Sequence, residues 1–525
     1  MKLFKFIIFP TIIFVLVQIL FLFDFWVNLE NKSYDTLFKI RGKREISDQI
    51  VIVSIDDETF KTLNSKWPFP REYYVNLIKN LNEAGAKRII FDILFTESVN
   101  DKADSTLAEI SESYGNVCFA GKILVQKNQT YSRSEIIEPM SDIRNRQIPW
   151  GLVNVPHDKD GFVRYYKLGE KFKDELYLSL GLVAALENPL EYLRKREKNF
   201  KYNQGMVEFE NTLIPVNKKK QTLINYYGPV GTFKTYPFVS VLDDKDFEIP
   251  ILDLNSFEEY QESGVFKDKI VLVGATVDEL RDIFYTPYFS GASMMPGVEI
   301  HANFIEMFLQ KDFLKKIPAL QYLAFFFVFT LLIYNLFMLL RPKYSLLLSI
   351  LVIFGYFIFV FYLFNQKSYV LPILEISVMV ILLYFINLIY YYIKTAEERK
   401  FIKNAFSHYL APELVNQLLK NPHKLEYGGT EQEVTVLFAD IKNFTTYAES
   451  HSPKETVSIL KEFFTEIVDI IKNNGGIVDK FVGDEIVTLF GVPVKYEDHA
   501  FKACKAAIEI KEKLDTLKKK WIDEK

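Results

Sequence analysis

The chain has 525 residues, of which 49% are apolar and 15% aromatic, and 47 are phenylalanine. This length allows about two to four domains, and the aromatic content indicates lipid-facing segments. The net charge is only −4, and no basic run resembles a nucleic-acid patch. We therefore expect no nucleic-acid partner.

Four apolar runs are long enough to cross a membrane, and their length and lack of polar faces disfavour the alternative of buried helices in one globule. They lie in residues 1–23, 319–340, 345–364 and 372–393. Lysine and arginine residues cluster before the first run, around 341–343 and after 393. The positive-inside rule therefore predicts a multi-pass cell-membrane protein in contact with lipid, with residues 24–318 outside and the chain after 393 in the cytoplasm.

Residues 24–318 have the alternating strand and helix pattern of an α/β domain. Strands are predicted at Ile50–Ile55 and Arg88–Phe95, with a helix between them that ends near Gly85. No zinc spacing and no nucleophile with a base stand out, so the acids are interpreted as caps or turn residues and the histidine as a packing residue. These residues are Asp56, Asp57, Glu58, Asp92, Asp282 and His301. Cys118 and Cys504 are both interpreted as small buried apolar residues.

Several blocks in this region resemble the type-2 CHASE sensor domain, over about residues 30–310. They are IVIVSIDDETF, WPFPRE, AGAKRIIFDILF, DKDGFVRYY, KIVLVGAT and MPGVEIHANFI. The resemblance implies an extracytoplasmic sensor for an unknown signal, followed by three spans and a cyclase or kinase output.

Residues 394–430 are predicted to form cytoplasmic coupling helices that end in a hinge at Gly428 and Gly429. A helix here with one apolar side can pair with its twin in a second chain. The alternative is a simple spacer.

The stretch from Val434 to Gly491 has the order strand, helix, hairpin. A buried strand at Val434–Phe438 leads to Asp440, and Ser452, Pro453 and Glu455 form a helix start with a capping box. The predicted apolar face of this helix consists of Val457, Leu460, Phe464, Ile467 and Ile471. After Gly475 and Gly476, strands at Ile477–Val482 and Glu485–Phe490 flank Gly483 and Asp484. A later helix is predicted to present Ala500, Cys504, Ala507 and Ile508 on one face.

Asp440 and Asp484 are the candidate site. Either acid alone is more often a turn residue, but a strand paired beside the hairpin would bring the two carboxylates together. Adjacent carboxylates repel unless a cation lies between them, and Mg²⁺ prefers carboxylates, water and phosphates. Two metal ions beside an attacking and a leaving oxygen are a recurring arrangement for phosphoryl transfer. The pattern predicts a metal-dependent nucleotide site.

The segments LFADIKNFT and DKFVGDEIVTLFG resemble the metal-binding blocks of class III adenylate/guanylate cyclases. The resemblance implies that Asp440, Asp484 and the backbone carbonyl of Ile441 hold two Mg²⁺ or Mn²⁺ ions. It also implies that backbone near Phe444 and Thr445 meets the triphosphate. The family's active sites form between two catalytic domains, which implies a homodimer.

Lys480 matches the family's base-reading position, although on its own it would be interpreted as an exposed strand lysine. An ammonium satisfies the acceptor N1 of adenine, whereas guanine offers a donor there, for which a glutamate is expected. Lys480 therefore indicates ATP. Asn443 stands where many relatives carry glycine.

Residues 431–525 match only the N-terminal half of a cyclase domain, and no residue of the chain is assigned to the transition-state Asn and Arg of the family. The fold expectation is a multidomain membrane protein with an extracytoplasmic α/β sensor, four transmembrane helices and a partial α+β ferredoxin-like cyclase domain. The predicted function is a membrane-bound sensory adenylate cyclase that converts ATP to 3′,5′-cyclic AMP and pyrophosphate. The alternatives are a catalytically incomplete sensor or regulatory partner and a guanylate cyclase.

Overall fold

A computed structural model describes residues 2–127, 132–173, 175–189, 200–203, 205–245, 247, 249, 256–291, 293–407, 431–492 and 495–523. The chain divides into two compact units, Met1–Phe385 and Ile386–Lys525, and each is described by itself.

The first unit is built from short strands and helices that precede three long apolar helices. Its helices are α1 (Lys2–Leu20), α2 (Asp24–Arg41), α3 (Asp57–Leu63), α4 (Arg71–Glu83), α5 (Asp101–Tyr114), α6 (Ser141–Asn145), α7 (Leu180–Ala185), α8 (Phe238–Leu242), α9 (Ser256–Ser263), α10 (Gly297–Leu309), α11 (Ala319–Leu339), α12 (Pro342–Lys367) and α13 (Leu374–Ser407), which continues into the second unit. Its strands are β1 (Ile50–Ile55), β2 (Arg88–Asp92), β3 (Val117–Lys127), β4 (Ser132–Ile137), β5 (Trp150–Leu152), β6 (Tyr165–Lys167), β7 (Gly169–Phe172), β8 (Glu175–Leu178), β9 (Lys201–Asn203), β10 (Met206–Phe209), β11 (Thr212–Pro215), β12 (Gln221–Leu223), β13 (Lys234–Pro237), β14 (Ile270–Ala275), β15 (Ile283–Phe284), β16 (Met295–Pro296), β17 (Lys315–Lys316) and β18 (Tyr369–Val370).

The main sheet has the strand order β13-β1-β14-β2-β3-β4, and β5 also pairs with β3. The pairs from β13 to β3 are parallel, and β4 runs antiparallel to β3. β1 and β14 are buried along their whole length, because helices cover both faces of a parallel sheet. The predicted α/β pattern is confirmed, and so is the capping role of Asp56, whose carboxylate accepts the N–H of Thr59.

Among the described residues, three helices are long and apolar enough to cross a membrane: Ala319–Leu339, Pro342–Lys367 and Leu374–Asn404. The first predicted span is shorter than expected. It ends at Leu20, and the chain turns by 86° into α2, so this bent pair counts at most as one further span. α1 packs against α11 through Phe14 and Phe326, whose ring centroids lie 5.4 Å apart.

The second unit contains a three-stranded antiparallel sheet of order β19-β21-β20. Its elements are β19 (Thr435–Ala439), α14 (Phe444–Ser450), α15 (Pro453–Asn473), β20 (Ile477–Val482), β21 (Glu485–Phe490) and α16 (His499–Asp523). The predicted capping box is confirmed, with the Ser452 side chain and Glu455 satisfying each other's backbone N–H. The hairpin bounds also agree with the prediction, and the predicted coupling helix continues in α13 to Ser407. Residues 408–430, with the predicted hinge, lie outside the described part.

One face of this sheet packs on α15 and α16, and no element in the described part of the chain covers the other, which is called the open face. The covered core consists of Phe463, Ile467, Ile471, Ile486, Phe490, Ala503, Ala506 and Ile510. The prediction of a fully buried first strand is wrong, because Val436 and Phe438 are 43% and 61% exposed. Since strand side chains alternate between faces, helices on one face bury only every second residue.

The predicted face of α15 is confirmed in part, since Ile467 and Ile471 are buried and Phe464 packs against the core, whereas the predicted face of α16 is displaced. In α15 Phe463 is buried, while the predicted core residue Val457 is 63% exposed. In α16 the buried residues are Ala503, Ala506, Ile510 and Leu517, whereas the predicted Ala500, Cys504 and Ile508 are exposed. The interpretation of Cys504 as buried is therefore wrong. That of Cys118 is confirmed, because Cys118 is buried. Burial raises the pKa of the Cys118 thiol to about 12. Each of these helices has apolar residues on more than one side, and packing against the sheet determines which side is buried.

Candidate functional site

Asp440 and Asp484 meet at one edge of the β19-β21-β20 sheet. β19 and β21 pair so that Ala439 lies opposite Ile486, which places Asp440 just beyond the strand end. Asp484 lies in the turn between β20 and β21, where Val482 pairs with Glu485. Gly483 precedes it with a φ of +69°, a conformation that side chains disfavour. The predicted proximity of the two acids is confirmed.

Asp484 influences the protonation of Asp440. A side-chain hydrogen bond from Asp484, together with charge repulsion, raises the pKa of Asp440. Glu485 adds a smaller repulsion in the same direction. A carboxylate is harder to ionise when a like charge lies beside it.

The segment after Asp440 contains the other residues that are predicted to bind metal or triphosphate, namely Ile441, Phe444 and Thr445. The carbonyl of Ile441 accepts the N–H of Phe444 at 3.2 Å, which leaves its second lone pair available. Phe444 and Thr445 are the first two residues of α14, and Asn443 is its N-cap. Asn443 has a φ of 62°, in the left-handed region where glycine is favoured and asparagine is the next best residue. This backbone requirement accounts for asparagine at that position.

Lys480 lies on β20 and shares a sheet face with Asp440. Its neighbour Phe481 packs on Phe464 of α15, with ring centroids 4.6 Å apart, so Phe481 points to the covered face. The alternation of strand side chains places Lys480 on the open face. By the same alternation, Asp440 follows Phe438 on that face, because Ala439 packs into the core. Lys480 is exposed, and its ammonium lies 3.4 Å from the carboxylate of Asp479.

The donor set at this edge fits a divalent oxygen-binding cation. Asp440 and Asp484 supply two carboxylates, and the Ile441 carbonyl a neutral oxygen, which are ligands that Mg²⁺ prefers. Among the described residues no cluster of three or more His, Cys, Asp or Glu could hold a metal ion. The candidate site therefore has the few protein ligands that are typical of a cation bound together with water and phosphate oxygens.

The first unit contains a buried polar cluster that the sequence analysis did not find. Nδ1 of His301 lies 2.5 Å from the Tyr166 hydroxyl, and its Nε2 lies 3.8 Å from Oδ2 of Asp92. That oxygen is buried and has no hydrogen-bond partner among the described residues. The interpretation of His301 as a packing residue is confirmed, but Asp92 is a buried strand residue and not a turn residue.

Burial sets the protonation of this cluster. It raises the pKa of Asp92 to about 7, and burial followed by repulsion from Asp92 raises the pKa of Asp282 to about 7. Burial also lowers the pKa of His301 to about 4. Asp282 packs on the first residue of α10, where a Cβ at Gly297 would lie 2.3 Å from its Oδ2. The strand-end positions of these acids were visible in the sequence, but their convergence depends on the tertiary fold.

The first unit matches a known family over most of its length. Residues 11–336 match the CHASE2 domain. The chain belongs to the CHASE2 domain family. Residues 427–523 match the adenylate and guanylate cyclase catalytic domain, so the CHASE2 domain is followed by a class III cyclase catalytic domain. Class III cyclases generally use divalent metal ions, which agrees with the pair of carboxylates at Asp440 and Asp484.

Curated relatives match the cyclase region of this CHASE2 protein. Adenylate cyclase 1 of Rhizobium meliloti is 34% identical over 112 residues, which are 21% of this chain and 17% of the relative. An uncharacterized protein of Mycobacterium tuberculosis is also 34% identical over 112 residues, or 20% of its length. The match thus spans about a fifth of these relatives.

Solved structures match the same region. The adenylyl cyclase CyaB from P. aeruginosa is 29% identical, with 17% of this chain and 47% of that chain covered and a TM-score of 0.17. The guanylate cyclase domain of RhGC from Catenaria anguillulae, solved in complex with GTP, is 34% identical, with 16% and 46% covered and a TM-score of 0.16. The matched region spans less than half of either structure.

Proposed function

We propose that this protein is a membrane-bound sensory adenylate cyclase that converts ATP to 3′,5′-cyclic AMP and pyrophosphate. The CHASE2 domain lies outside the cytoplasm and receives the signal, and the cyclase domain lies inside, where ATP is found. The observation that carries the proposal is the adjacent pair Asp440 and Asp484 on the sheet edge, with the raised pKa of Asp440.

In this proposal Asp440, Asp484 and the Ile441 carbonyl hold two Mg²⁺ or Mn²⁺ ions. When bound, such ions lower the pKa of the ribose 3′-hydroxyl and neutralise charge on the triphosphate. The residues themselves orient the nucleotide. Backbone at Phe444 and Thr445, at the start of the helix that follows Asp440, is assigned to the triphosphate.

Lys480 is assigned to the base. Lys480 shares the open face with Asp440. It pairs with Val487 of β21, and Val487 pairs on its other side with Phe438 of β19, so these three residues form one row across the sheet. Two strand spacings of about 4.8 Å separate the ends of that row, a distance that a bound nucleoside can span. The lysine ammonium donates to adenine N1, which favours ATP over GTP.

The homodimer is supported by the open face. Val436, Phe438 and Val482 are 43%, 61% and 54% exposed, an apolar surface that a second catalytic domain would cover. The order strand, helix, strand, strand, helix matches the first five elements of a ferredoxin-like fold, counting α15 as the helix. We assign the catalytic domain to that fold on this order.

The decisive experiment measures cyclic nucleotide production by the full-length protein in membranes. ATP and GTP are compared in the presence of Mg²⁺ and Mn²⁺. We expect cyclic AMP from ATP, its loss in Asp440→Asn and Asp484→Asn, and its retention in Asp469→Asn, which changes an exposed aspartate on α15.

Turnover of GTP above that of ATP would replace the proposal with a guanylate cyclase. Absence of both products, with normal membrane insertion, would favour the regulatory-partner alternative.

A further inference from the structure

A cavity of about 280 Å³ lies in the first unit, where the CHASE2 domain meets the apolar helices. Its walls come from α2, strands β6 and β12, the segment from β17 into α11, and the segment before α13. Apolar side chains form most of the wall, among them Leu223, Ile317, Leu371 and Pro372. A mostly apolar cavity with a few polar groups is the usual composition of a small-molecule site.

Most polar groups of the wall already have partners. Arg164 donates to three aspartates, Asp35, Asp158 and Asp160, at 2.7 to 2.9 Å. Glu30 accepts the N–H groups of residues 373, 374 and 375 at the start of α13. These groups build the wall and have little hydrogen-bonding capacity left for a ligand.

Two donors at the cavity remain incompletely used. The side chain of Tyr34 is only 8% exposed, and its hydroxyl has no hydrogen-bond partner among the described residues. The Lys316 ammonium donates to the Tyr165 hydroxyl at 2.9 Å and forms no ion pair in the described part of the chain. An ammonium has three donors, so it retains capacity. The Tyr34 hydroxyl has almost no accessible surface towards the cavity, so the Lys316 ammonium is the donor of this pair that a ligand can reach.

We propose that this cavity binds a small amphiphile with an apolar chain and a head group that accepts hydrogen bonds, either a carboxylate or a carbonyl. The Lys316 ammonium determines the head, and the apolar wall accommodates the chain. A dry cavity of about 150 Å³ holds benzene, so about 280 Å³ holds roughly eleven non-hydrogen atoms, or a chain of about eight carbons.

The position of the cavity connects this ligand to the apolar helices. Tyr322 of α11 lines the cavity, and its hydroxyl donates to Glu375 of α13 at 2.8 Å. Gln18 of α1 also donates to Glu375. The ligand would therefore contact the wall next to a hydrogen-bonded link between three helices. Such a ligand shifts a conformational equilibrium to the extent that it binds two arrangements of these helices with different affinity.

The test uses the full chain in phosphatidylcholine nanodiscs, with octanoate and 2-nonanone as acceptor probes and octylammonium as the probe with a donor head. Binding is measured by thermal stabilisation and calorimetry. We expect an acceptor probe to bind at least tenfold more tightly than octylammonium. Preference for octanoate or for 2-nonanone identifies the head as a carboxylate or a carbonyl. Lys316→Met removes the accessible donor and should weaken the binding of octanoate about two- to tenfold.

A cavity-filling variant provides the steric control. Ala319 lines the cavity and is exposed, so Ala319→Phe should abolish binding without loss of folding. Ala324→Phe adds the same ring on the same helix at an exposed residue away from the lining, and should bind as the wild type does.

Equal binding by the two alanine variants, or octylammonium binding as tightly as the acceptor probes, would overturn the proposal. Native mass spectrometry identifies the source of the natural ligand. A mass that corresponds to a carboxylic acid or to a carbonyl compound of this size, retained by the wild type and lost in Ala319→Phe, supports the site and names that source. None of these readouts involves nucleotide turnover, so they are independent of the proposed cyclase activity.

Discussion

Arg164 and Asp35 form a two-bond ion pair, with Nε 2.8 Å from Oδ1 and Nη2 2.7 Å from Oδ2. Asp35 lies on α2, and Arg164 directly precedes β6. The pair joins the helix after α1 to the strands of the CHASE2 domain, and the Arg164 side chain is only 2% exposed.

Arg164→Lys should lower stability strongly. A lysine cannot reproduce the planar bonds to three carboxylates, and it leaves the buried Asp35 without its two-bond partner. We expect a loss of about 3–5 kcal/mol in the free energy of unfolding, measured by denaturant titration of the purified protein. The matched control is Arg146→Lys, which changes an arginine paired with two exposed glutamates and should cost at most about 1 kcal/mol. Equal losses in the two variants would contradict this role.

The buried pair Asp92 and Asp282 should make stability depend on pH. Their pKa values rise from 3.8 when unfolded to about 7 when folded, so their stabilising contribution is complete below about pH 4 and is lost as pH rises through 7. His301 acts in the opposite direction, since its pKa falls from 6.5 to about 4 and folding is favoured as pH rises through that window.

The double variant Asp92→Asn, Asp282→Asn isolates this effect. Between pH 4.5 and 6.5 each carboxyl contributes about −1.4 kcal/mol per pH unit to the slope of the unfolding free energy. The slope of the double variant should therefore exceed that of the wild type by up to about 2.7 kcal/mol per pH unit. Asp278→Asn, at an exposed acid of the same segment, should leave the slope unchanged. Parallel slopes in the wild type and the double variant would refute the assignment.

Divalent cations should stabilise the cyclase domain through Asp440 and Asp484. Because the raised pKa of Asp440 reflects its neighbour, its contribution to stability is present at acid pH and is lost as pH rises through that pKa. A cation binds the ionised form and reverses this loss. We expect Mn²⁺ to raise the unfolding temperature more at pH 7.5 than at pH 5.

The variant Asp440→Asn should reverse the order of stabilities. Without metal it removes the repulsion and unfolds at the same or a higher temperature than the wild type, whereas the wild type is the more stable of the two with Mn²⁺. Asp469→Asn should respond to Mn²⁺ as the wild type does. A metal response that survives in Asp440→Asn would exclude this carboxylate as a ligand.

Lys480 should determine the choice of nucleotide. Lys480→Glu replaces a donor with an acceptor, which suits guanine N1 and opposes adenine N1. We expect turnover of ATP to fall at least tenfold and the ratio of GTP to ATP turnover to rise, in initial-rate assays of the full-length protein. Lys461→Glu makes the same charge change at an exposed position of α15 and should leave the ratio unaltered. An unchanged ratio in Lys480→Glu would remove the base-reading role.

The left-handed conformation of Asn443 predicts a distinct substitution pattern. Asn443→Gly should keep or slightly raise stability, since glycine adopts a φ of 62° without steric cost. Asn443→Val should lose about 1–2 kcal/mol, because a β-branched residue is disfavoured in this region. Thermal unfolding of the two variants tests this order, and a valine variant as stable as the glycine variant would contradict the backbone argument.

Local features that depend on neighbouring residues could be predicted from the amino-acid sequence. The capping box of Ser452 and Glu455, the hairpin around Gly483 and the apolar helices follow from short-range patterns, because caps, turns and apolar runs act within a few residues. The proximity of Asp440 and Asp484 was also predictable, since a strand paired beside a hairpin leaves few alternatives.

Only the tertiary structure decided which apolar face is covered and which distant polar groups meet. The exposure of Val436 and Cys504 depends on the placement of two helices on one side of a sheet. The cluster of Asp92, Asp282 and His301 joins residues about two hundred positions apart in the chain. Burial and electrostatic environment are properties of the packed fold, so a residue's own sequence neighbours do not specify them.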